Sequence, residues 1–587
     1  MESLREFNEA FSYLKGYLNQ YRKNRRISMF FTVVETIFEL LIPAIMGVIL
    51  NDVIHQKDPA AALKYGIIII ILSLASMFCG MQASKNAGLT STGITDNVRK
   101  AQFDKIQTYA FEDFEYFGVP SLLTRLTSDM QALAQATFMT TRFVIKTVVM
   151  ALVAFILAFM TSRKLSVIFF IIMPILFVIL TAITTSALPD FRKTRSQYDR
   201  LNLIIEENLK NMRVVKAFVR KKYEIEKFGL DNQRMFELSD RSQGKMAFVF
   251  PTANAILYVV FVFITWYGGL EIIDGRLGVG DLVSFNMYAM MLLGSLIGLS
   301  MVVTMLMSSS PSVTRVKEVL TREISMDNSN AKEGLSLDDG SVEFDNVSFK
   351  YEAESDTCQL EDINLKIESG EVVGILGPTG SSKSTLVQLI PRLYDTSSGQ
   401  ITVGGHPIED YDLKTLRDEV AIVLQKNTLF SGTIIDNLRW GDSNASEDEI
   451  RKMADIAQAD NFVSERSDGY ESVLGQGGTG VSGGQKQRLT IARSLLKKPK
   501  ILILDNSTSA VDTKTEAALL DGFEKLDPGM TQIIISQRIS SFQNADRIII
   551  MDEGRIDDIG THDELYARNE IYRLTYDIQQ NKGGEDE

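Results

Sequence analysis

The sequence predicts a multi-domain chain: an all-α domain of six membrane-spanning helices, then an α/β domain built around a phosphate-binding loop. Three observations predict it. Apolar runs of spanning length recur through the first half and stop near Met307. Alternating strand patterns begin at Ser341. Within that second half, the apolar strand Val372-Val373-Gly374-Ile375-Leu376 runs straight into a glycine-rich turn. The expected limits are 1–322 for the membrane part, 323–340 for a polar linker, 341–575 for the α/β part and 576–587 for a polar tail.

At 587 residues the chain is too long for one core. Its net charge of −13 argues against nucleic acid as a partner. Cys79 and Cys358 make no disulfide framework, and three histidines (His55, His406, His562) leave little for a histidine-based metal site. The first apolar run is too long for a signal peptide and no small-residue cleavage site follows it.

The expected spans are 29–54, 65–83, 143–160, 166–186, 248–273 and 282–307, each near the ~20 residues that cross a bilayer. Arg22, Lys23, Arg25 and Arg26 precede the first span, which puts the N-terminus in the cytoplasm. The short loops 55–58, 161–164 and 274–280 then face outside, and the long polar segments 84–142 and 188–247 extend into the cytoplasm. Pro43 and Pro174 lie within spans and are candidate kinks. Glu35 and Glu39 sit one turn apart on one face of the first span. Carboxylates at such depth turn toward a bundle or a wet cavity. Two readings stand: a cavity in which Glu39 meets cationic or amphipathic substrates, or a polar contact between helices.

In the second half, Gly377-Pro378-Thr379-Gly380-Ser381-Ser382-Lys383-Ser384-Thr385 follows a strand and opens a helix. Glycines let backbone amides close around phosphates, Lys383 reaches the β/γ oxygens, and Ser384 is placed for Mg²⁺. The usual glycine before the lysine is Ser382 here. Further on, Val481-Ser482-Gly483-Gly484-Gln485 opens a helical run, and the strand Ile501-Leu502-Ile503-Leu504 delivers Asp505 and Asn506 at its end. A strand ending in an acid is a way to present a ligand for Mg²⁺.

Taken together, these motifs resemble an ABC exporter half-transporter of the type IV fold over nearly the whole chain. The resemblance implies that Tyr351 stacks on adenine and that 377–385 is the Walker A loop. It makes Gln425 the Q-loop glutamine, Val481–Gln485 the signature and Asp505 the Walker B aspartate, with Ser384 and Gln425 as its companions on Mg²⁺. Ser509–Asp512 becomes the D-loop, with Asp512 in the catalytic set. Taken singly, Tyr351 has a plainer reading as a strand-end aromatic and Gln425 as a surface polar residue; the ordered set favours ATP and Mg²⁺. The same resemblance makes Phe114–Gly118 with Leu123–Asp129, and then Arg213–Phe218, the two coupling regions.

The pattern breaks in three places. The family's glutamate after the Walker B aspartate polarises the attacking water, and Asn506 stands there; an amide cannot take up the proton. The switch histidine after strand Gln532–Ile535 is replaced by Gln537, and Gln476 stands where exporters commonly carry Glu. In the family an ATP site is shared, Walker motifs of one domain facing the signature of the other. A self-paired chain would therefore have two crippled sites. The resemblance is accordingly to the degenerate subunit of heterodimeric bacterial multidrug exporters. It implies a plasma-membrane ABC-type ATPase with a second half-transporter as partner, the lipid bilayer around it and a small amphipathic or cationic substrate. The sequence leaves a second origin open for Asn506, a replacement introduced to trap nucleotide, although Gln537 argues for natural degeneracy. An ATP-gated channel-like protein and a lipid or peptide exporter are the alternative functions.

Overall fold

The computed structural model describes residues 2–53, 58–326, 328–351, 357–507, 511 and 513–583. Residues 55–57 of the first expected outer loop, Ser509, Ala510 and Asp512 of the expected D-loop, and 584–587 of the tail lie outside them. Contacts divide the chain into two bodies: residues 1–106 with Pro120–Arg322, and Gln107–Val119 with Glu323–Glu587.

The first body is all helix. Its principal helices are α1 (Arg22–Val48) and α2 (Pro59–Gln107), followed beyond Val119 by α3 (Ser128–Thr161) and α4 (Arg163–Lys210). A short α5 (Met212–Ala217) leads into α6 (Lys221–Ala247), α7 (Val249–Ile273) and α8 (Val279–Thr321). Among the described residues, six helical segments are long and apolar enough to cross a membrane. They outrun the expected spans because polar residues extend the same helices: α2 has 49 residues and α4 has 48, against the ~20 that hydrocarbon requires. Pro43 sits inside α1, and Pro174 and Pro189 inside α4, so the helices run through their prolines.

Small residues bring α1 and α8 together. A Cβ on Gly280 would lie 2.0 Å from the Gly47 carbonyl oxygen, and Ser284 Oγ donates to the Pro43 carbonyl at 2.6 Å. Farther along, Phe7, Phe11 and Leu14 of the N-terminal helix pack with Met130, Leu133 and Val313. Beside that core, Arg315 grips the buried Asp129 through two bonds of 2.8 and 2.6 Å, and Arg125 pairs with Glu318 at 2.7 Å. Two charged members of the first expected coupling region are thus tied into α8.

The second body is α/β. Strands β1 (Val342–Phe349), β2 (Leu360–Ile367), β4 (Ser398–Val403) and β5 (His406–Pro407) form an antiparallel sheet in the order β2-β1-β4-β5. Strands β3 (Val372–Leu376), β6 (Val420–Val423), β9 (Ile501–Asp505), β10 (Thr531–Ile535), β11 (Arg547–Asp552) and β12 (Arg555–Gly560) form the larger one. Its order is β12-β11-β3-β10-β9-β6, parallel except at β12. The short pair β7 (Gly432–Thr433) and β8 (Val473–Leu474) stands apart.

Side chains alternate across the large sheet. Ile501, Ile503, Ile533 and Ile535 enter one core, while Leu502, Leu504 and Ile534 enter another. Covering both faces is what makes these strands read as unbroken apolar runs. The expected linker 323–340 lies on this body, where the Lys332 amide donates to the Asp410 carbonyl at 2.7 Å. The Phe111–Phe117 helix also belongs here, an excursion that a single cut in the sequence does not capture.

Candidate nucleotide-binding site

Strand order builds the site. β3 and β9 lie on either side of β10, so the turns after all three open at the same edge. Such carboxyl-end edges are where open α/β sheets bind ligands. The turn after β3 is 377–382, that after β9 begins with Asn506, and that after β10 holds Ser536 and Gln537.

Gly377 has no alternative, because a Cβ there would lie 2.1 Å from the Met551 carbonyl oxygen. Gly380 has φ +92° and Ser382 has φ +65°, both in the left-handed region. A glycine before the lysine therefore answers a backbone requirement, which Ser382 meets at a conformational cost of about 1 kcal/mol. Ser382→Gly is expected to raise stability by about 0.5–1 kcal/mol, after allowing for the freer unfolded chain. Thermal melting of the full chain, with and without ATP, checks this.

Lys383, 9% exposed, opens the helix Lys383–Leu389 and folds over its own loop. Its Nζ donates to the Gly377 and Pro378 carbonyls at 2.9 and 2.7 Å and to Ser381 Oγ at 3.2 Å. Burial pulls its pKa down, and the Asp505 carboxylate counters part of that. Asp505, 1% exposed, accepts from Ser384 Oγ at 3.0 Å. Burial pushes its pKa up, while Ser384 and Lys383 pull it back.

The pair Ser384–Asp505 fits Mg²⁺, a hard cation that takes few protein oxygens and completes its shell with phosphate and water. Gln425, exposed just beyond β6, stands at the same edge of the sheet. No cluster of three or more His, Cys, Asp or Glu suited to a metal occurs among the described residues.

Asn506 has φ +49°, a conformation in which asparagine is several-fold enriched. Its amide donates to the Ile535 carbonyl at 2.9 Å, which ties it to β10 beside the turn that carries Gln537. That turn is held from behind by Gln579 of the helix Glu570–Gly583. Gln579 Nε2 donates to the Gln537 carbonyl at 2.7 Å, and the Ile539 amide donates to Gln579 Oε1 at 2.9 Å. The Gln537 side chain itself is exposed. Gln579→Ala is expected to loosen the turn by roughly 1–2 kcal/mol, the worth of two hydrogen bonds. The check is faster hydrogen exchange at the Ile539 amide with distant strands unchanged.

Tyr351 Oη lies 3.1 Å from Thr385 Oγ1, and its ring meets Phe349 and Tyr394 edge-on at 4.9 and 5.1 Å. Tyr394, buried, donates to Glu115 at 3.1 Å and packs against Phe111 at 5.8 Å. Burial and the neighbouring Glu115 push its phenol well up. The expected adenine platform is thus joined through Tyr394 to the Phe111–Phe117 helix.

Ser482 caps the helix Gly483–Leu495: its Oγ accepts from the Gln485 amide at 3.3 Å, and its own amide donates to Gln485 Oε1 at 2.9 Å. Ser482 and Gly483 are exposed, and a Cβ on Gly483 would meet nothing within 4 Å. The expected signature is therefore an open helix N-terminus, suited to an anion. Tyr351, the loop 377–385, Asp505, Asn506 and Gln537 gather at or near one edge, while the signature forms its own surface. Tyr394 and Gln579 carry no motif; only the fold brings them to the site.

Residues 26–296 match the ABC transporter transmembrane region, and residues 360–509 match the ABC transporter family. An uncharacterised ABC transporter ATP-binding protein of Bacillus subtilis, YfiB, is 34% identical over 97% of this chain and 98% of its own length. The chain belongs to the ABC transporter family. A second ABC protein of that organism, YknU, is 32% identical over 97% of both chains. An ATP-dependent lipid A-core flippase of Desulfotalea psychrophila is 33% identical over 71% of this chain and 74% of its own. This ABC chain is an exporter half-transporter, a multi-pass membrane domain followed by an ABC ATPase domain.

Proposed function

We propose that this ABC chain is the degenerate-site subunit of a heterodimeric exporter of amphipathic compounds in a bacterial plasma membrane. Its N-terminus and ATPase domain face the cytoplasm, and its partner is a second half-transporter. The observation that carries this is Asn506: the residue after the expected Mg²⁺-binding aspartate has a side-chain amide in place of a carboxylate, and its backbone N–H, bonded to the Ile535 carbonyl at 2.9 Å, sets it beside the strand whose turn carries Gln537. In ATP hydrolysis a water oxygen attacks the γ-phosphorus, the bond to the β,γ-bridging oxygen breaks, and the water proton must leave. Asn506 offers no base for that proton, and Gln537 offers no imidazole beside it.

Binding has the parts it needs. Gly377–Thr385 cradles the phosphates, with Pro378, Thr379 and Ser381 shaping the loop, and Tyr351 supports the adenine. Ser384, Asp505 and Gln425 would hold Mg²⁺, which would supply charge neutralisation for the phosphates. The open helix N-terminus at Ser482, Gly483, Gly484 and Gln485 then serves the partner's ATP. The expected roles of Asp512 and of the second coupling region, Arg213–Phe218, belong to the same proposal. ATP binding closes the two ATPase domains, and hydrolysis at the partner-led site resets them.

The test is ATPase activity of the purified chain alone and together with the sister half-transporter. The proposal expects slow turnover alone and vigorous turnover in the pair. Fast turnover by the chain alone contradicts it.

A further inference from the structure

The two acids in the first span are not isolated. Arg142 and Lys146 of α3 face them, and the four side chains form one cluster. Arg142 donates to both Glu35 oxygens at 2.5 and 3.1 Å and to Thr32 Oγ1 at 3.1 Å. Lys146 Nζ bridges Glu35 and Glu39, at 2.9 Å each. From α2, Gly80 closes the inner side, where an added Cβ would sit 3.2 Å from the Glu35 carboxyl carbon. The inner end is therefore saturated: the Glu35 side chain is 6% exposed and that of Arg142 10%.

The outer end is different. The Lys146 and Glu39 side chains are 26% and 29% exposed. An ammonium has three N–H donors, and Lys146 uses two on these carboxylates. Glu39 takes the Lys146 bond on Oε1, which leaves Oε2 as an acceptor. One donor and one acceptor thus stand side by side, partly exposed, within an apolar span.

We propose that Lys146 and Glu39 form a docking site for the headgroup of a net-neutral, zwitterionic amphiphile. Its cationic group meets Glu39 Oε2 and its anionic group meets Lys146 Nζ. Two acids against two bases make the cluster neutral. A purely cationic or anionic ligand uses only one of the open valences and adds an uncompensated charge at membrane depth, where charge is expensive. A zwitterion uses both and keeps the site neutral. Apolar positions one turn beyond Lys146, Val149 and Met150, continue the helix where a tail follows the headgroup. The cluster is itself a polar contact between α1 and α3, and the cavity reading of Glu39, for a cationic or amphipathic substrate, is narrowed here to a dipolar amphiphile. That this ligand is cargo rests on the exporter reading; that it binds does not.

The experiment uses the full chain and three single-tailed probes of equal chain length: a lysophosphatidylethanolamine, a lysophosphatidylglycerol and an alkylammonium. Bound probe is counted by native mass spectrometry. The native chain is expected to hold the zwitterion about tenfold more tightly than either charged probe, the worth of one uncompensated interaction. Lys146→Gln leaves an extra negative charge and should turn the preference toward the alkylammonium. Glu39→Gln should turn it toward the anionic probe. The Glu39→Gln, Lys146→Gln double variant keeps the charge balance, so it folds if the singles do not, and should show no preference. Equal binding of all three probes by the native chain, or a zwitterion preference retained in the double variant, overturns the proposal. Retained binding preference without ATP-driven transport in the assembled pair sinks the exporter reading instead.

Discussion

A double variant, Asn506→Glu with Gln537→His, is expected to raise ATP turnover at this chain's own site by about 10²-fold or more, the range of a positioned general base. The single Asn506→Glu change should recover only part of that. Asn506 has φ +49°, where glutamate is less at ease than asparagine, and the proton acceptor alone lacks a neighbour on the β10 turn. The turn itself is well held, since Gln579 bonds the Gln537 carbonyl and the Ile539 amide. An imidazole placed at 537 therefore starts from an ordered backbone. Steady-state phosphate release by the chain alone, native against double variant, reads the effect. No gain in the double variant would mean that something other than the missing base limits this site.

The second large effect concerns the other end of the chain's chemistry. Gly483→Asp is expected to reduce ATP turnover of the assembled pair by about 10²-fold, comparable to deleting a preorganised donor to developing charge. It should leave the chain as stable as before. Nothing lies within 4 Å of a Cβ at Gly483, and an acid in the first turn of a helix suits the helix dipole. In the proposed pair it would oppose a triphosphate brought to that N-terminus by the partner. Lys383→Ala, in contrast, should weaken nucleotide binding at this chain's own loop and reduce turnover of the pair far less. The comparison of these variants in one assay separates the two sites: a chain that drives its own hydrolysis would show the reverse order.

Much of this architecture is legible in the sequence because it is local. The loop 377–385, the strand ending in Asp505 and the cap at Ser482 each declare themselves within a few residues, and the six spans do so by length. What stays hidden is long-range. Arg142 and Lys146 lie more than 100 positions from the acids they neutralise, Arg142 at the end of a segment that reads as polar helix and Lys146 just inside the next span. Glu35 and Glu39 alone leave a substrate cavity and a polar contact between helices both open; in the fold they are half of a neutral cluster that joins α1 to α3. Gln579 reaches the switch turn from 40 residues downstream, and no motif marks it. Ser382 stands where glycine is usual, and the reason glycine is favoured there lies in the backbone at φ +65°. Arg125 and Asp129 sit in a motif read as coupling surface, but their partners Glu318 and Arg315 are on α8.

The most direct measurement of the division of labour is a single turnover of photoreactive ATP, radiolabelled on the α-phosphate, by the chain assembled with its sister half-transporter. Crosslinked nucleotide is then identified separately on each chain. The account predicts ATP, still intact, on the loop that carries Lys383, and ADP on the partner's. ADP appearing on this chain as fast as on its partner would contradict it.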